Sequence, residues 1–162
     1  MIDLNGDGIK TTTLNNGIYF DNNKDGFAEK TAWVGADDGI LIIDKNNDGI
    51  INNGGELFGD NYVLSNGTNA TTGFEALADL DSNHNNKIDS GDNNFSNIKV
   101  LKGDGTLLSL ADAGVSSINL TNTATNIVDE NGNTQLRAGS YTKIDGTTDA
   151  IGDYKKRYLK VA

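Results

Sequence analysis

One short pattern constrains this chain more than anything else, and it occurs four times between Asp3 and Asp92. The four copies are Asp3-Leu-Asn5-Gly-Asp7-Gly8, Asp21-Asn-Asn23-Lys-Asp25-Gly26, Asp44-Lys-Asn46-Asn-Asp48-Gly49 and Asp81-Ser-Asn83-His-Asn85-Asn86. Each puts an oxygen-bearing side chain at loop positions 1, 3 and 5. Alternation at that spacing lets a tight loop aim three oxygens at one centre, and glycine at position 6 permits the bend. Position 7 then offers a main-chain carbonyl, from Ile9, Phe27, Ile50 and Lys87. Calcium takes about six to eight hard oxygens, whereas magnesium prefers a tighter octahedron that keeps water. One such loop is a common Asx-turn. Four in succession predict a calcium-binding domain holding about three to four ions.

The loops differ in what completes them. The fourth is nearest to an EF-hand, with Asp89 at position 9 and Asp92 at position 12. It departs in having Asn86 for the glycine at position 6 and Asp92 for the usual bidentate glutamate. The third has Asn52 at position 9, while Glu56 falls at position 13, one residue late. Gly54-Gly55 could bend the chain to bring Glu56 in. Glu29, at position 9, can serve the second loop. The first two loops have Leu14 and Ala32 at position 12, so they need help from elsewhere. Asp37 and Asp38 lack counter-charges in the nearby sequence. The expectation is that one of them, or Asp60, completes a site built by another loop. His84 reads as a solvent-facing bystander and Trp33 as core.

Composition supports the same reading. The 162 residues carry a formal charge of −10, from 23 acids against 13 bases. The acids are 19 Asp and 4 Glu, beside 23 Asn and 20 Gly, a mixture suited to turns and oxygen ligation rather than to a merely solvated surface. Asp60 apart, thirteen of the acids fall at the positions just named, and four Ca²⁺ would move the charge from −10 to −2. A hydrophobic share of 36% gives a thin core, so metal binding should appear as folding energy. Without calcium the chain should be loose. The acidic balance argues against nucleic acid and anionic lipid as partners. With no cysteine and one histidine, disulfides, thiol catalysis, cysteine-ligated metals and a Ser-His-Asp triad have no residues to draw on. No apolar run is long enough for a membrane span. The N-terminus has no secretory leader, so Met1-Ile2-Asp3 reads as a domain boundary.

The apolar pattern predicts an α+β fold, a single compact calcium-loaded domain over 1–162. Residues 1–66 read as β-rich, with runs at Ile18–Phe20, Ala32–Val34 and a buried strand at Ile40–Ile43. Residues 72–98 read as an EF-hand-like helix-loop-helix. Its first helix is capped by Thr72 and carries Phe74, Leu77 and Leu80; its second spans 90–98 with Phe95 and Ile98 on one face. Residues 107–162 read as a short helix over 107–113 stopped by Gly114, then strands at 117–120 and 134–143. The basic tail, 154–161, reads as a solvated terminus.

Several stretches resemble the self-processing module of FrpC-type RTX proteins of Gram-negative bacteria. They are DLNGDGI (3–9), DNNKDG (21–26), TAWVGADDGIL (31–41), DKNNDGIINNGGELFGDN (44–61), GFEALADLDSNHNNKID (73–89) and GSYTKIDGTT (139–148). The resemblance implies type I secretion and folding in extracellular calcium. It implies calcium-dependent cleavage of an Asp-Pro bond a few residues before the position matched by Asp3. The freed Asp carboxyl can then form an isopeptide bond to a lysine of another protein. The scissile Asp attacks its own carbonyl and expels the proline nitrogen, leaving a cyclic anhydride, so no Ser, Cys or His is needed. Asp81 and Asp92 match functional positions of the family.

Two departures shape the expectation for this chain. It contains no proline, hence no Asp-Pro bond, and is expected not to cleave as it stands. The family's further EF-hand-like loop is replaced by Leu101–Thr106. The glycine-rich nonapeptide repeats of RTX proteins are absent, which excludes a β-roll. Two alternatives stay open: a non-catalytic calcium-stabilised spacer of a secreted protein or adhesin, and a dockerin-like binding module, which would be shorter and more helical. A monomer is expected.

Overall fold

In the computed structural model, which describes residues 1–159, the regular secondary structure is mostly antiparallel strand. These are β1 (Ile18–Phe20), β2 (Glu29–Thr31), β3 (Gly39–Ile43), β4 (Lys87–Ile88), β5 (Ile98–Lys102), β6 (Leu107–Ser109), β7 (Val115–Val128), β8 (Thr134–Lys143) and β9 (Thr148–Lys155). They form a β1-β2 ribbon, a β3-β5-β6 sheet and a β4-β7-β8-β9 sheet. One α-helix, α1, spans Gly73–Ala78.

The N-terminal tripeptide joins the two larger sheets. Ile2 bridges Ile151 of β9 on one side and Gly39 of β3 on the other. Ile2 N–H donates to Gly39 O at 2.9 Å and Asp3 N–H to Ala150 O at 3.0 Å. The strand run is therefore β6-β5-β3-(1–3)-β9-β8-β7-β4, and the start of the first calcium-type loop lies in its middle.

The α+β expectation fails on its helices. α1 forms as expected, with the Thr72 hydroxyl accepting from Glu75 N–H at 3.0 Å, but it ends at Ala78, before Leu80. The helix expected over 90–98 is a 3₁₀ turn at Phe95–Asn97 followed by β5. At its start the Asp92 carboxylate accepts from Ser82 N–H and Asp89 N–H, tying the segment back onto the loop rather than into a helical ladder. There is accordingly no EF-hand helix pair. The helix expected over 107–113 is β6 plus a turn. Asp104-Gly105 closes a tight β5–β6 connection, with Lys102 N–H to Thr106 O at 2.8 Å, and seven residues are too few to nucleate a competing helix. Gly114 does end that turn in the left-handed region, at φ 79°. Asp112 sits exposed in it.

The strand readings at 18–20, 40–43, 117–120 and 134–143 fall on β1, β3, β7 and β8. The run Ala32–Val34 lies just past β2, where Val34 bridges Thr11. β3 is buried along its whole length, which explains its unbroken apolar sequence. Leu41 enters the main core with Phe74, Ile88, Ile118 and Tyr141, while Ile40 and Ile42 enter a second with Phe20 and Trp33. Phe20 and Trp33 pack with centroids 5.0 Å apart.

The basic tail is not a solvated terminus where it is described. Ala32 N–H donates to Arg157 O at 2.8 Å, Leu159 N–H donates to Lys30 O at 2.8 Å, and Tyr158 bridges Thr31. The amine of Lys156 lies 5.2 Å from the centre of the Trp33 ring. The rest of that tail, 160–161, lies outside the described residues. Among the described residues no helix is long and apolar enough to cross a membrane.

Candidate metal centres

The four loops share one backbone device. At position 1 a carboxylate reaches over the turn: Asp3 accepts from Gly8 N–H at 2.9 Å, Asp21 from Gly26 at 3.0 Å, Asp44 from Gly49 at 2.8 Å and Asp81 from Asn86 at 2.9 Å. The asparagine at position 3 accepts from the N–H of position 5 in every loop, Asn5 at 3.4 Å, Asn23 at 3.2 Å, Asn46 at 3.3 Å and Asn83 at 3.3 Å. Positions 4 and 6 are both left-handed. Position 4 is Gly6, Lys24, Asn47 and His84 at φ 80°, 62°, 54° and 56°; position 6 is Gly8, Gly26, Gly49 and Asn86 at 95°, 90°, 78° and 62°. The sequence pattern signals position 6 through its glycines. It hides position 4, where three of four residues are not glycine.

The loops part ways in how their acids converge. In the third loop, carboxylate oxygens of Asp44, Asp48 and Glu56 come within 4.8 Å of one another. The 3₁₀ turn Gly54–Glu56 carries Glu56 inward, so the one-residue-late position 13 is reached as the double glycine suggests. One amide atom of Asn52 lies 2.9 Å from Asp48 Oδ2, 3.0 Å from Ile50 O and 3.3 Å from Glu56 Oε2. As nitrogen it would donate to all three. As oxygen it joins an all-oxygen cluster that only a cation can unite. Asp44 Oδ1 and Glu56 Oε1 are buried without any hydrogen-bond partner, a costly arrangement for carboxylates unless a cation completes them. Burial, with Asp44 and Asp48 beside it, pushes the Glu56 carboxyl above its usual range. This donor set fits calcium.

The first loop gains its far ligand from a different strand. Asp38, immediately before β3 and fully buried, brings an oxygen within 4.8 Å of Asp3 and Asp7. Its two oxygens accept from Leu4 N–H at 3.1 Å and Lys10 N–H at 2.8 Å, clamping the loop at both ends. Burial raises its pKa against those two hydrogen bonds, and Asp3 and Asp7 add to the rise. Of the three candidates offered for a shared site, Asp38 is brought in, Asp37 faces solvent, and Asp60 lies at a separate cavity.

The other two loops bring fewer acids together. Among the described residues, no third carboxylate joins Asp21 and Asp25 at that spacing. Glu29 is buried with Oε2 unpartnered. In the fourth loop Asp92 spends both oxygens on its own backbone, accepting from Ser82 N–H at 2.8 Å and Asp89 N–H at 2.9 Å. Asp89 accepts from the Asn85 amide at 2.9 Å and from Gly91 N–H at 2.9 Å, which hold its pKa below the usual range. Position 8, Ile88, pairs with Ile118 of β7 rather than with a second hand. His84 is exposed. At position 7 the side chains of Phe27, Ile50 and Lys87 point outward and Ile9 is half-buried.

The comparison with known proteins rests on the whole chain rather than on any one loop. The SPM domain model matches residues 1–155. The chain belongs to the SPM family. These are the self-processing modules that its loops and the GGELFGDN and SYTKIDGTT stretches resemble. It is also similar to the iron-regulated protein FrpA of Neisseria meningitidis serogroup C, at 44% identity over 162 residues. That alignment takes in 94% of this chain and 14% of FrpA, so the SPM module spans about one seventh of its relative's length.

Proposed function

We propose that this SPM module is a calcium-folded unit of a secreted RTX-type protein, one that in its full polypeptide cleaves an Asp-Pro bond upstream of residue 1. The observation that carries the calcium half is the third loop, where carboxylate oxygens of Asp44, Asp48 and Glu56 converge and Asp44 Oδ1 and Glu56 Oε1 are buried with no hydrogen-bond partner. Calcium at the first loop would fix Asp3, and with it the strand segment Met1–Asp3. Ion binding would thereby organise the backbone beside the bond to be cut. Export before folding fits this design, because the chain would meet millimolar calcium only outside the cell. A lysine of a second protein could then open the anhydride in place of water. No Asp-Pro bond lies within the 162 residues, so the chain alone carries the calcium-dependent fold and not its own substrate.

A non-catalytic spacer role is the second reading, favoured by the tight β5–β6 hairpin at Leu101–Thr106, which stands where the resemblance implies a further calcium loop. One experiment separates the two. An Asp-Pro segment is placed before Met1, the protein is purified in chelator, millimolar calcium is added, and the products are run on a denaturing gel. Cleavage within a day supports self-processing, and an intact chain leaves only the structural role. Thermal melts in calcium and in chelator test the ion requirement by itself.

A further inference from the structure

Met1 is bonded as the interior of a strand and not as its end. Its nitrogen donates to Gly152 O at 2.7 Å and its carbonyl accepts from Gly152 N–H at 2.9 Å, the doubly bonded pair of an antiparallel ladder. A peptide joined to that nitrogen would continue antiparallel to β9, passing Asp153 and then Tyr154. It would enter a cavity of about 590 Å³ lined by Met1, Phe58, Asp60, Asp153, Lys156 and Tyr158. Three extended residues reach about 10 Å, enough to cross it. Asp153 is anchored there, accepting from Gly73 N–H at 3.0 Å. The amine of Lys156 is in neither of the ion pairs found among the described residues.

We propose that this cavity seats the peptide joined to Met1, and that Lys156 is the proton donor to the bond broken there. The catalytic half rests on the self-processing reading above; the seat does not. Attack of the scissile Asp carboxylate on its own carbonyl carbon forms the C–O bond of the anhydride. As the C–N bond breaks, its electron pair stays on the proline nitrogen, which needs a proton to leave as an amine. Lys156 supplies that proton and is reprotonated from water, and a second water opens the anhydride. Burial pushes the Lys156 ammonium down to about 8, while Asp153 and Asp60 hold it up. A donor in that range is close to the amine it must protonate, where general-acid catalysis is most effective.

Two measurements test the proposal. In a chain extended upstream by an Asp-Pro segment, Lys156→Met should slow calcium-triggered cleavage about 10²-fold, in the range of a lost general acid. Lys156→Arg should be as slow, because a guanidinium keeps the charge but does not release its proton. The calcium-dependent melting midpoints should stay close to that of the unsubstituted chain, which separates lost chemistry from lost fold. Full rate in Lys156→Met, or full recovery in Lys156→Arg, overturns the donor role. The seat is tested without any cleavage by an uncleavable Asn-Pro extension. Acylation of Lys156 by a small reagent should be lost relative to the chain that starts at Met1. Unchanged acylation overturns the seat, even if the extended Asp-Pro chain never cleaves.

Discussion

The third and fourth loops begin with the same Asp-x-Asn pattern and end as opposites. Both cross positions 1 to 6 with the same Asx hydrogen bonds and the same two left-handed residues. Beyond that, Glu56 arrives from a 3₁₀ turn with an oxygen unpartnered, whereas Asp92 folds back and satisfies Ser82 and Asp89 N–H. The repeated motif therefore builds a scaffold, and the residue that closes it decides the outcome. A late glutamate leaves a charge for an ion, while a well-placed aspartate serves as a backbone clasp.

The largest expected effect is on the ions themselves. Saturating a site at a hundred times its Kd adds about 2.7 kcal/mol. Two filled sites, in the first and third loops, would then add about 5 kcal/mol, which is comparable to the whole stability of a small domain. The melting midpoint should fall steeply when calcium is replaced by chelator. Coincident melts would remove the calcium reading altogether.

Glu56→Gln against Asp92→Ala is the sharpest single contrast. Glu56→Gln should remove about 2–3 kcal/mol of the calcium-dependent stabilisation and leave the metal-free melt no lower, since it deletes a buried charge beside two others. Asp92→Ala should cost about 1–3 kcal/mol in calcium and in chelator alike, because it strands buried N–H groups. If both variants lose only the calcium-dependent part, the two loops work the same way.

Acid gives the metal-free state a direction of its own. The folded pKa values of Glu56 and Asp38 are raised by burial and neighbouring carboxylates, so folding favours their protonated forms. Their contribution is fully present below the unfolded carboxylate pKa of about 4 and is lost as pH rises through the folded values. In chelator the midpoint contributed by these groups should therefore climb on mild acidification. In calcium it should fall, since the ion binds their charged forms. The same slope in both buffers would mean that neither carboxylate faces an ion.

The sequence makes the loops legible because the hydrogen bonds across positions 1 to 6 join residues at most five apart. Glu56 and Asp38 are half-legible. Gly54-Gly55 marks a bend, and Asp37-Asp38 marks an unpaired acid pair, but only the strand run through residues 1–3 shows that Asp38 faces Asp3. The helices over 90–98 and 107–113 are misread because short apolar spacings fit either period. Asp104-Gly105, a hairpin signal, decides the second case. The docked tail is misread because charge alone does not show that Lys30 in β2 and Ala32 just past it offer edge groups for Leu159 and Arg157 to bond.

The smallest expected effect concerns position 4, where the first loop has Gly6 and the fourth has His84. His84 holds φ 56° while its side chain is exposed. Releasing a non-glycine residue from that region gains about 1–2 kcal/mol, and glycine's extra freedom in the unfolded chain takes back about 0.5–1 kcal/mol. His84→Gly should therefore raise the midpoint by the equivalent of about half a kcal/mol, with the calcium titration unchanged. A weakened titration would make the imidazole a ligand and return the fourth loop to the same class as the third. A lowered midpoint with normal calcium response would instead mean that the left-handed turn is held by contacts of the ring.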